Sequence, residues 1–148
     1  MKNILLKCKP YLATLWLLCL QSQALADLAI IANKEFTGDL SQRDIKMLYL
    51  GKAQHLADKS ILTLQPVNLP FSDAQRIQFD KSVLGKTEAN LRTYWARMIF
   101  TSRSRPPREL TSSADVVQHV SEKPNTIGYI DAKQLTEDVR VLLIIKQD

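Results

Sequence analysis

Cysteine is scarce in this chain of 148 residues, and its two cysteines, Cys8 and Cys19, both lie near the amino end. A fold held by disulfides needs paired cysteines within its folded part. Residues 27–148 contain none, so a disulfide scaffold is excluded there and a hydrophobic core must supply the stability. That length is sufficient for one domain with a single core.

Glycine and histidine are also sparse. The chain has four glycines, each at an expected turn or helix end: Gly38, Gly51, Gly85 and Gly128. A Gly-rich phosphate loop and a nucleophile elbow are therefore absent from the sequence. The two histidines, His55 and His119, have no second His or Cys at metal-ligand spacing. The sequence predicts no enzyme, no metal and no cofactor.

More than half of the excess positive charge comes from the amino end. The chain has 20 Lys and Arg against 15 Asp and Glu, a net charge of +5. Three of the basic residues are Lys2, Lys7 and Lys9, which leaves 17 against 15 from residue 27 onward. Proteins that bind nucleic acid usually carry a strong basic patch, so we expect no nucleic-acid partner.

Long hydrophobic runs are missing too. The apolar stretch from Tyr11 to Leu20 is far shorter than the ~20 residues of a membrane-spanning helix. It follows three lysines and precedes Ala24-Leu25-Ala26, an arrangement typical of a secretory signal peptide. We predict a signal peptide over residues 1–26, cleaved after Ala26, and a periplasmic domain over 27–148 without membrane insertion. A lipoprotein anchor on Cys19, disfavoured by bulky Leu18, and a buried core helix are the alternatives.

The remaining chain alternates between strand and helix signals. A strand with both faces covered is predicted at 28–32, a helix capped by Ser41 and Asp44 ends at Gly51, and a strand over 61–65 stops at Pro66 or shortly after. A second helix runs from Ser72 to about Leu84. Its apolar face is formed by Ile77, Phe79, Val83 and Leu84, whereas Asp73 and Asp80 are expected on a solvated face.

Two further helices and two strands complete the pattern. Thr87 caps the third helix and Ser113 the fourth, and a Pro-containing loop lies between them. Strands are predicted at 127–130 and 139–145. Residues expected to point inward are Leu91, Tyr94, Trp95, Met98, Ile99, Phe100, Val116, Val117 and Val120. This order of elements indicates a single α/β layer structure.

Three segments resemble a known superfamily. They are Leu48-Tyr49-Leu50-Gly51-Lys52, the run Leu91-x-x-Tyr94-Trp95-x-x-x-Ile99-Phe100-Thr101, and Lys123-Pro124-Asn125-Thr126-Ile127-Gly128-Tyr129. In this order and spacing they resemble the phosphate ABC transporter substrate-binding proteins, which are type 2 periplasmic binding proteins, and in particular a small single-lobe branch. Asn125 replaces the first glycine of the third motif, and Asn tolerates the left-handed conformation.

The resemblance implies one lobe of such a fold, a mixed sheet flanked by helices. It also implies non-covalent recognition of phosphate or a similar small oxyanion in a transport role. The Ser-Gly-Thr turn by which the superfamily holds its anion matches Asp73, Ala74 and Gln75 here, so the glycine and both hydroxyls are missing. A lone lobe leaves an anion half in water. Tight binding would therefore require a second copy or another protein.

Candidate ligand residues lie at two predicted element ends. Backbone N–H groups at a helix start favour anions, which makes Ser72, Gln75 and Arg76 candidates, although Asp73 is itself an anion in this first turn. Asn33 and Lys34 follow the first strand, and open α/β sheets bind ligands beyond the carboxyl ends of strands.

The arginine-rich loop is the third candidate. Arg103, Arg105 and Arg108 lie within six residues, and guanidiniums can hold a phosphate or carboxylate in a bidentate manner. The same loop could instead dock on an acidic protein partner or be a solvated loop stiffened by prolines. Two functions therefore remain open: a small-oxyanion binder, or a ligand-free module that docks on a transporter, sensor or envelope partner.

Overall fold

The computed structural model describes residues 26–53 and 63–146. The predicted signal peptide lies outside the described residues except for Ala26, and so does His55. The strands are β1 (Leu28–Ala32), β2 (Gln65–Asn68), β3 (Arg108–Glu109), β4 (Thr126–Asp131) and β5 (Arg140–Ile145). The helices are α1 (Gln42–Tyr49), α2 (Ala74–Phe79) with a π-helical extension (Asp80–Leu84), α3 (Glu88–Phe100) and α4 (Ser113–Glu122), and a 3-10 turn covers Ala132–Gln134. The α/β class and the mixed sheet flanked by helices are confirmed.

The sheet has the strand order β3-β2-β4-β1-β5. β2 runs parallel to both β3 and β4, whereas β1 is antiparallel to β4 and β5. All five residues of β1 are buried, as its apolar sequence on both alternations predicts. β1 therefore lies in the interior of the sheet, between β4 and β5.

Helices cover both faces of β4. On one face, Tyr129 stacks on Phe79 with ring centroids 4.0 Å apart, and the Tyr49 ring of α1 lies 4.7 Å from Phe79. On the other face, Gly128 lets α4 approach closely, because a Cβ there would come within 2.6 Å of Val116. Successive residues of a strand point to opposite faces. The strand Thr126–Asp131 thus forms the centre of two packed layers.

The helix boundaries follow local capping chemistry. Ser41 and Asp44 form the predicted capping box, Thr87 caps α3, and the helix that continues α2 ends at Gly85, whose φ of 65° suits glycine. α2 begins at Ala74 with Asp73 as its cap, two residues after the predicted start at Ser72. Ser112, not Ser113, caps α4, so this helix begins one residue earlier than predicted. The described helices include none long and apolar enough to cross a membrane.

The second strand begins later than predicted. Residues 61–62 lie outside the described part, Thr63 and Leu64 are not in a strand, and β2 starts at Gln65 and contains Pro66. The N–H of Gln65 donates to the carbonyl of Asn125, just before β4, so the nitrogen of Pro66 faces the other neighbour, β3. β3 pairs only with Val67 and Asn68. Proline costs no ladder hydrogen bond at this position, and for this reason it does not stop the strand.

Four side chains differ from the sequence expectation in burial. Ile77, Ile99 and Phe100 are 56%, 52% and 90% exposed, so they are not core residues. Asp80 was expected on a solvated face and is 3% exposed. Asp80 is buried because its carboxylate pairs with Arg76, a buried residue one turn earlier on the same helix. Tyr94 and Trp95 are buried as predicted.

Candidate functional site

The polar residues of interest lie at two opposite edges of the sheet. We call the edge where β2, β3 and β4 begin the amino edge, and the edge where they end the carboxyl edge. β1 is antiparallel to β4, and its last residue, Ala32, lies opposite Ile127 near the start of β4. The predicted candidates are therefore divided: Asn33 and Lys34 lie at the amino edge, whereas the segment from Ser72 to Arg76 lies at the carboxyl edge.

The start of α2 at the carboxyl edge already holds an anion. The carboxylate of Asp73 accepts hydrogen bonds from the backbone N–H of Gln75 (2.8 Å) and of Arg76 (3.4 Å). These are the donors that an unliganded helix start would offer to a phosphate. Asp73 thus uses them as an intramolecular cap, and Ser72 beside it is exposed.

Arg76 is also committed inside the protein. It is 2% exposed, donates from Nε to Asp80 Oδ2 over 2.8 Å and donates from Nη1 to Leu69 O over 2.8 Å. Its guanidinium lies 4.2 Å from the centre of the Phe71 ring, and Glu109 Oε1 is 3.8 Å from Nη1. A guanidinium with these partners stabilises the helix against the end of β2 and presents little surface to a ligand.

Gln75 connects three elements at the same edge. Its Oε1 accepts from Ser113 Oγ and from the backbone N–H of Asp131, both over 3.0 Å, and its Nε2 donates to Gln134 Oε1 over 3.2 Å. Both ends of the amide are therefore used to hold α4 and β4 against α2.

Asn33 has a structural role at the amino edge. Its Nδ2 donates to the carbonyls of Val120 (2.8 Å) and Ser121 (2.9 Å) near the end of α4, and its Oδ1 accepts from the N–H of Glu35. The last carbonyls of a helix lack intrahelical partners. Asn33 satisfies two carbonyls in the last turn of α4, and the adjacent Lys34 is exposed.

The arginine-rich loop borders a cleft at the amino edge. The cavity measures about 470 Å³ and lies between this loop, the end of α1 and the last turns of α4. We call it the arginine cleft and define it by its four basic lining residues: Arg105, Arg108, His119 and Lys123. Arg103 is not part of its lining and instead borders a separate depression with Ile99.

The charges of the arginine cleft are close enough to influence one another. Burial, and then the positive charges of Lys123 and Arg108, lower the pKa of His119 below its usual value. Within residues 26–53 and 63–146, no ion pair involves Arg105, Arg108 or Lys123. The carboxylate of Glu122 acts on the pKa of His119 in the opposite direction. The described lining of the cleft itself holds basic and no acidic side chains, which favours an anion.

The sequence predicts only two of the four basic residues of this cleft. Arg105 and Arg108 belong to a cluster of arginines that is visible in the sequence, whereas nothing in the sequence links His119 and Lys123 to that cluster. The link depends on the parallel pairing of β3 with β2, which lays Arg108 beside Val67 near the end of α4. A register between strands so distant in sequence is not visible in local patterns. The left-handed Asn125 next to the cleft was predicted, and its φ is 60°.

Among the described residues, no group of three or more His, Cys, Asp or Glu could hold a metal ion. The arrangement of the arginine cleft suits non-covalent recognition of an anion.

Comparison with solved structures finds the same fold in larger proteins. Matches include an ABC-type phosphate transport receptor from Vibrio cholerae (16% identity, TM-score 0.57, 79% of this chain and 46% of that one). A protein from Clostridium perfringens described as a phosphate ABC transporter substrate-binding protein, with bound phosphate, matches at 20% identity and TM-score 0.60, over 79% and 45% of the two chains. PstS from Borrelia burgdorferi matches at 16% identity and TM-score 0.56, over 79% and 47%.

These matches define the class of fold. The chain has the α/β fold of phosphate-type substrate-binding proteins, which confirms at the level of fold the resemblance noted in the sequence. It spans less than half the length of each of these structures. No protein-family model and no curated protein matches the sequence.

Proposed function

We propose that this protein is a periplasmic, solute-binding-like protein that recognises phosphate or a similar small oxyanion non-covalently in the arginine cleft. Its fold supports binding as the function. Two of the solved proteins compared above are described by a role in phosphate transport, and one of these contains bound phosphate. The third is PstS. The role is recognition, not catalysis.

The observation that carries the proposal is the set of cations in the arginine cleft that form no ion pair with any residue in 26–53 or 63–146. Arg105 lies in the loop before β3, Arg108 is the first residue of β3 and Lys123 follows α4, yet all three line the same cavity. Guanidinium groups form bidentate hydrogen bonds with phosphate oxygens, and Lys adds a point charge. A tetrahedral dianion is the ligand that best matches this combination.

The start of α2 is the weaker location for the oxyanion. An anion there would have to displace the Asp73 carboxylate from the N–H groups of Gln75 and Arg76. Ser72, Gln75 and Arg76 therefore contribute less in this proposal than the sequence suggested. Asn33, which is bound to carbonyls of α4, takes no part.

The affinity should be low. The cations of the cleft are exposed to solvent, where water screens them and charge-assisted contacts are weak. We expect a dissociation constant on the order of 1 mM, about −4 kcal/mol. A second copy or a partner protein that covered the cleft would exclude water and strengthen the binding.

Isothermal titration of the purified protein with phosphate, and then with sulfate, tests the proposal at low ionic strength. We expect saturable binding of phosphate that Arg105→Ala and Arg108→Ala each weaken by about two- to fivefold, since an exposed charged contact contributes up to about 1 kcal/mol. Arg97→Ala, an exposed arginine on α3 outside the cleft lining, is the matched control and should leave the binding unchanged.

Either of two results would overturn the proposal. The first is the absence of heat up to several millimolar phosphate with a folded protein. The second is binding that Arg97→Ala weakens as much as Arg108→Ala, because the effect would then reflect net charge alone.

A protein-docking module is the second candidate function, and one observation favours it. Phe100 is 90% exposed and Ile99 is 52% exposed at the end of α3, next to Arg103. An exposed apolar patch with a basic rim is typical of a protein-interaction surface. A folded protein that binds no oxyanion would favour this function.

A further inference from the structure

Positive charge is concentrated at the end of α3 and in the loop that follows it. From Ala89 to Arg108 the sequence contains five arginines and neither Asp nor Glu, whereas residues 27–148 as a whole have 17 basic residues against 15 acidic ones. Arg97, Arg103 and Arg105 are exposed, and none of them forms an ion pair with any residue in 26–53 or 63–146. This part of the surface therefore attracts negative charge.

Two apolar side chains lie among these arginines. Phe100 is 90% exposed and its neighbour Ile99 is 52% exposed, both on the last turn of α3. A depression of about 220 Å³ places Ile99 beside Arg103 and Arg105. Single exposed apolar side chains are common, but an apolar pair with a charged rim marks an interaction site. We call Arg97, Ile99, Phe100 and Arg103 the α3 tip.

The turn after α3 holds the α3 tip in a defined position. The N–H of Ser102 donates to Ile99 O and the N–H of Arg103 donates to Met98 O, both over 3.0 Å, and Ser102 has a φ of 50°. These bonds form a Schellman motif, in which the residue after the left-handed position frequently packs an apolar side chain on the helix. An exposed arginine, Arg103, takes that place here. The turn thus adds a cation beside Ile99 and no apolar cover.

We propose that the α3 tip docks on the surface of a bilayer that contains anionic phospholipids. Arg97 and Arg103 pair with lipid phosphates, and the Phe100 ring enters the boundary between headgroups and acyl chains, where amphipathic surfaces bury their apolar side chains. A bilayer fits this surface better than an acidic protein, because it receives a projecting ring without a matching pocket. The contact is peripheral, and no segment of the backbone enters the hydrocarbon core.

Charge and ring have to act together in this contact. Each arginine near an anionic membrane surface strengthens binding about fivefold, and burial of an aromatic ring adds a contribution that salt does not screen. Neither contribution alone holds a protein firmly on a bilayer. We therefore expect reversible binding that requires anionic lipid and weakens as salt is added. The inference does not depend on oxyanion recognition, because Arg97, Ile99, Phe100 and Arg103 do not line the arginine cleft.

Co-sedimentation with large vesicles at low ionic strength measures the binding. Vesicles of equal parts phosphatidylglycerol and phosphatidylcholine are compared with vesicles of phosphatidylcholine alone. We expect a partition coefficient at least about tenfold higher on the anionic vesicles, since two arginines contribute about fivefold each. The protein is used as it is isolated from cells, and all variants share the same amino end, so any effect of residues 1–26 cancels in the comparison between variants.

A matched pair of variants tests the role of the ring. Phe100→Asp and Ile77→Asp each replace an exposed apolar side chain by a carboxylate, one on the α3 tip and one on α2, where Ile77 is 56% exposed. Both change the net charge equally. Phe100→Asp should lower the partition coefficient on anionic vesicles by about tenfold or more, because it removes the buried ring. Ile77→Asp should lower it by at most about twofold, because a charge away from the contact is screened.

A second pair tests the arginines. Arg97→Ala and Arg103→Ala should each lower the partition coefficient on anionic vesicles about fivefold and leave the slight binding to phosphatidylcholine unchanged. Arg43→Ala, which removes an exposed arginine on α1, is the control for net charge and should change the partition coefficient by at most about twofold.

The depth of the ring is measured by fluorescence. Phe100→Trp should show a blue shift on anionic vesicles and quenching by brominated phospholipid, whereas Ile77→Trp should show neither. Trp95 is 6% exposed and is present in both variants, so its emission serves as a common background.

Three results would overturn the proposal. The first is a folded protein that does not bind the anionic vesicles, which would leave the α3 tip to a protein partner. The second is an equal loss of binding in Phe100→Asp and Ile77→Asp, because net charge alone would then explain the effect. The third is emission from Phe100→Trp that bound vesicles neither shift nor quench.

Discussion

Charged side chains differ between the two edges of the sheet in whether they have partners within the described chain. At the carboxyl edge, Asp73 caps α2 and Arg76 pairs with Asp80, so these charged groups are already partnered within the chain. At the amino edge, Arg105, Arg108 and Lys123 converge on one cleft, and the described residues contain no ion pair that involves them. Charges that are already partnered hold the fold together, whereas charges left open are available to a ligand. This difference is the reason why we propose recognition at the amino edge and a structural role for the charges at the carboxyl edge.

The largest effect that this comparison predicts is the loss of Arg76. Arg76→Ala leaves the buried Asp80 carboxylate without its partner, and we expect the free energy of unfolding to fall by about 3–5 kcal/mol. Urea denaturation at neutral pH measures it. Arg92→Ala, which removes an exposed pair with Glu88, should cost at most about 0.5 kcal/mol.

A double variant sharpens the same prediction. Arg76→Met combined with Asp80→Leu replaces the buried pair by apolar groups and should regain most of the stability lost in Arg76→Ala. If Arg76→Ala itself cost less than about 1 kcal/mol, a typical value for one hydrogen bond, Arg76 would not be a structural residue. It would then return as a candidate for ligand binding.

A smaller effect is expected at the start of α2. Asp73→Ala removes the side chain that caps the N–H groups of Gln75 and Arg76, which should lower the free energy of unfolding by about 1 kcal/mol. Phosphate affinity should not fall, because in this account the anion binds at the other edge. A loss of phosphate binding in this variant, with the protein folded, would contradict the assignment of recognition to the amino edge.

Asp80 should also make the stability of the protein depend on pH. Burial raises the pKa of this carboxyl to about 6, despite the neighbouring Arg76. The folded protein then binds the proton more tightly than the unfolded chain, so the contribution of Asp80 is greatest below its unfolded pKa and is lost as the pH rises through about 6. We expect wild type to lose stability relative to Asp80→Asn between about pH 4 and pH 7.

Asp115 provides a control of opposite sign. Hydrogen bonds from the hydroxyls of Thr111 and Ser112 lower the pKa of its carboxyl. Its contribution is therefore present at neutral pH and is lost as the pH falls through the folded pKa. Asp115→Asn should accordingly be less stable than wild type at pH 7, and the difference should shrink in acid. The same trend in Asp80→Asn would show that the pKa of Asp80 is not raised.

Local chemistry made much of the fold predictable from the sequence. The capping box of Ser41 and Asp44, the cap at Thr87 and the left-handed Gly85 depend on residues close in the chain. The apolar sequence of β1 correctly predicted a strand that is covered on both faces. Elements defined by contacts between distant residues were harder to predict. Pro66 fits inside β2 because β3 pairs only with the two residues after it, Val67 and Asn68.

The candidate site was less predictable for the same reason. Arg76 and Asp80 are one turn apart, but the burial of Arg76 depends on its contact with Leu69 beyond β2. The contact of Asn33 with the end of α4 likewise joins distant elements. Because β1 is antiparallel to β4, Asn33 and Ser72 lie at opposite ends of the strands. Exposure of Ile77 and Phe100 likewise depends on which neighbours cover them, and helical periodicity alone does not specify this.

The pKa of His119 tests the account most directly, because this residue lines the arginine cleft and senses its charge. Proton NMR titration of the imidazole, assigned with His119→Gln, would be compared in sulfate and in chloride at equal ionic strength. Sulfate does not titrate in this range and stands in for phosphate. An oxyanion bound in the cleft should raise the pKa of His119 relative to chloride, because a nearby negative charge favours the imidazolium. An unchanged pKa, at sulfate concentrations where titration calorimetry shows binding, would contradict the assignment of recognition to this edge.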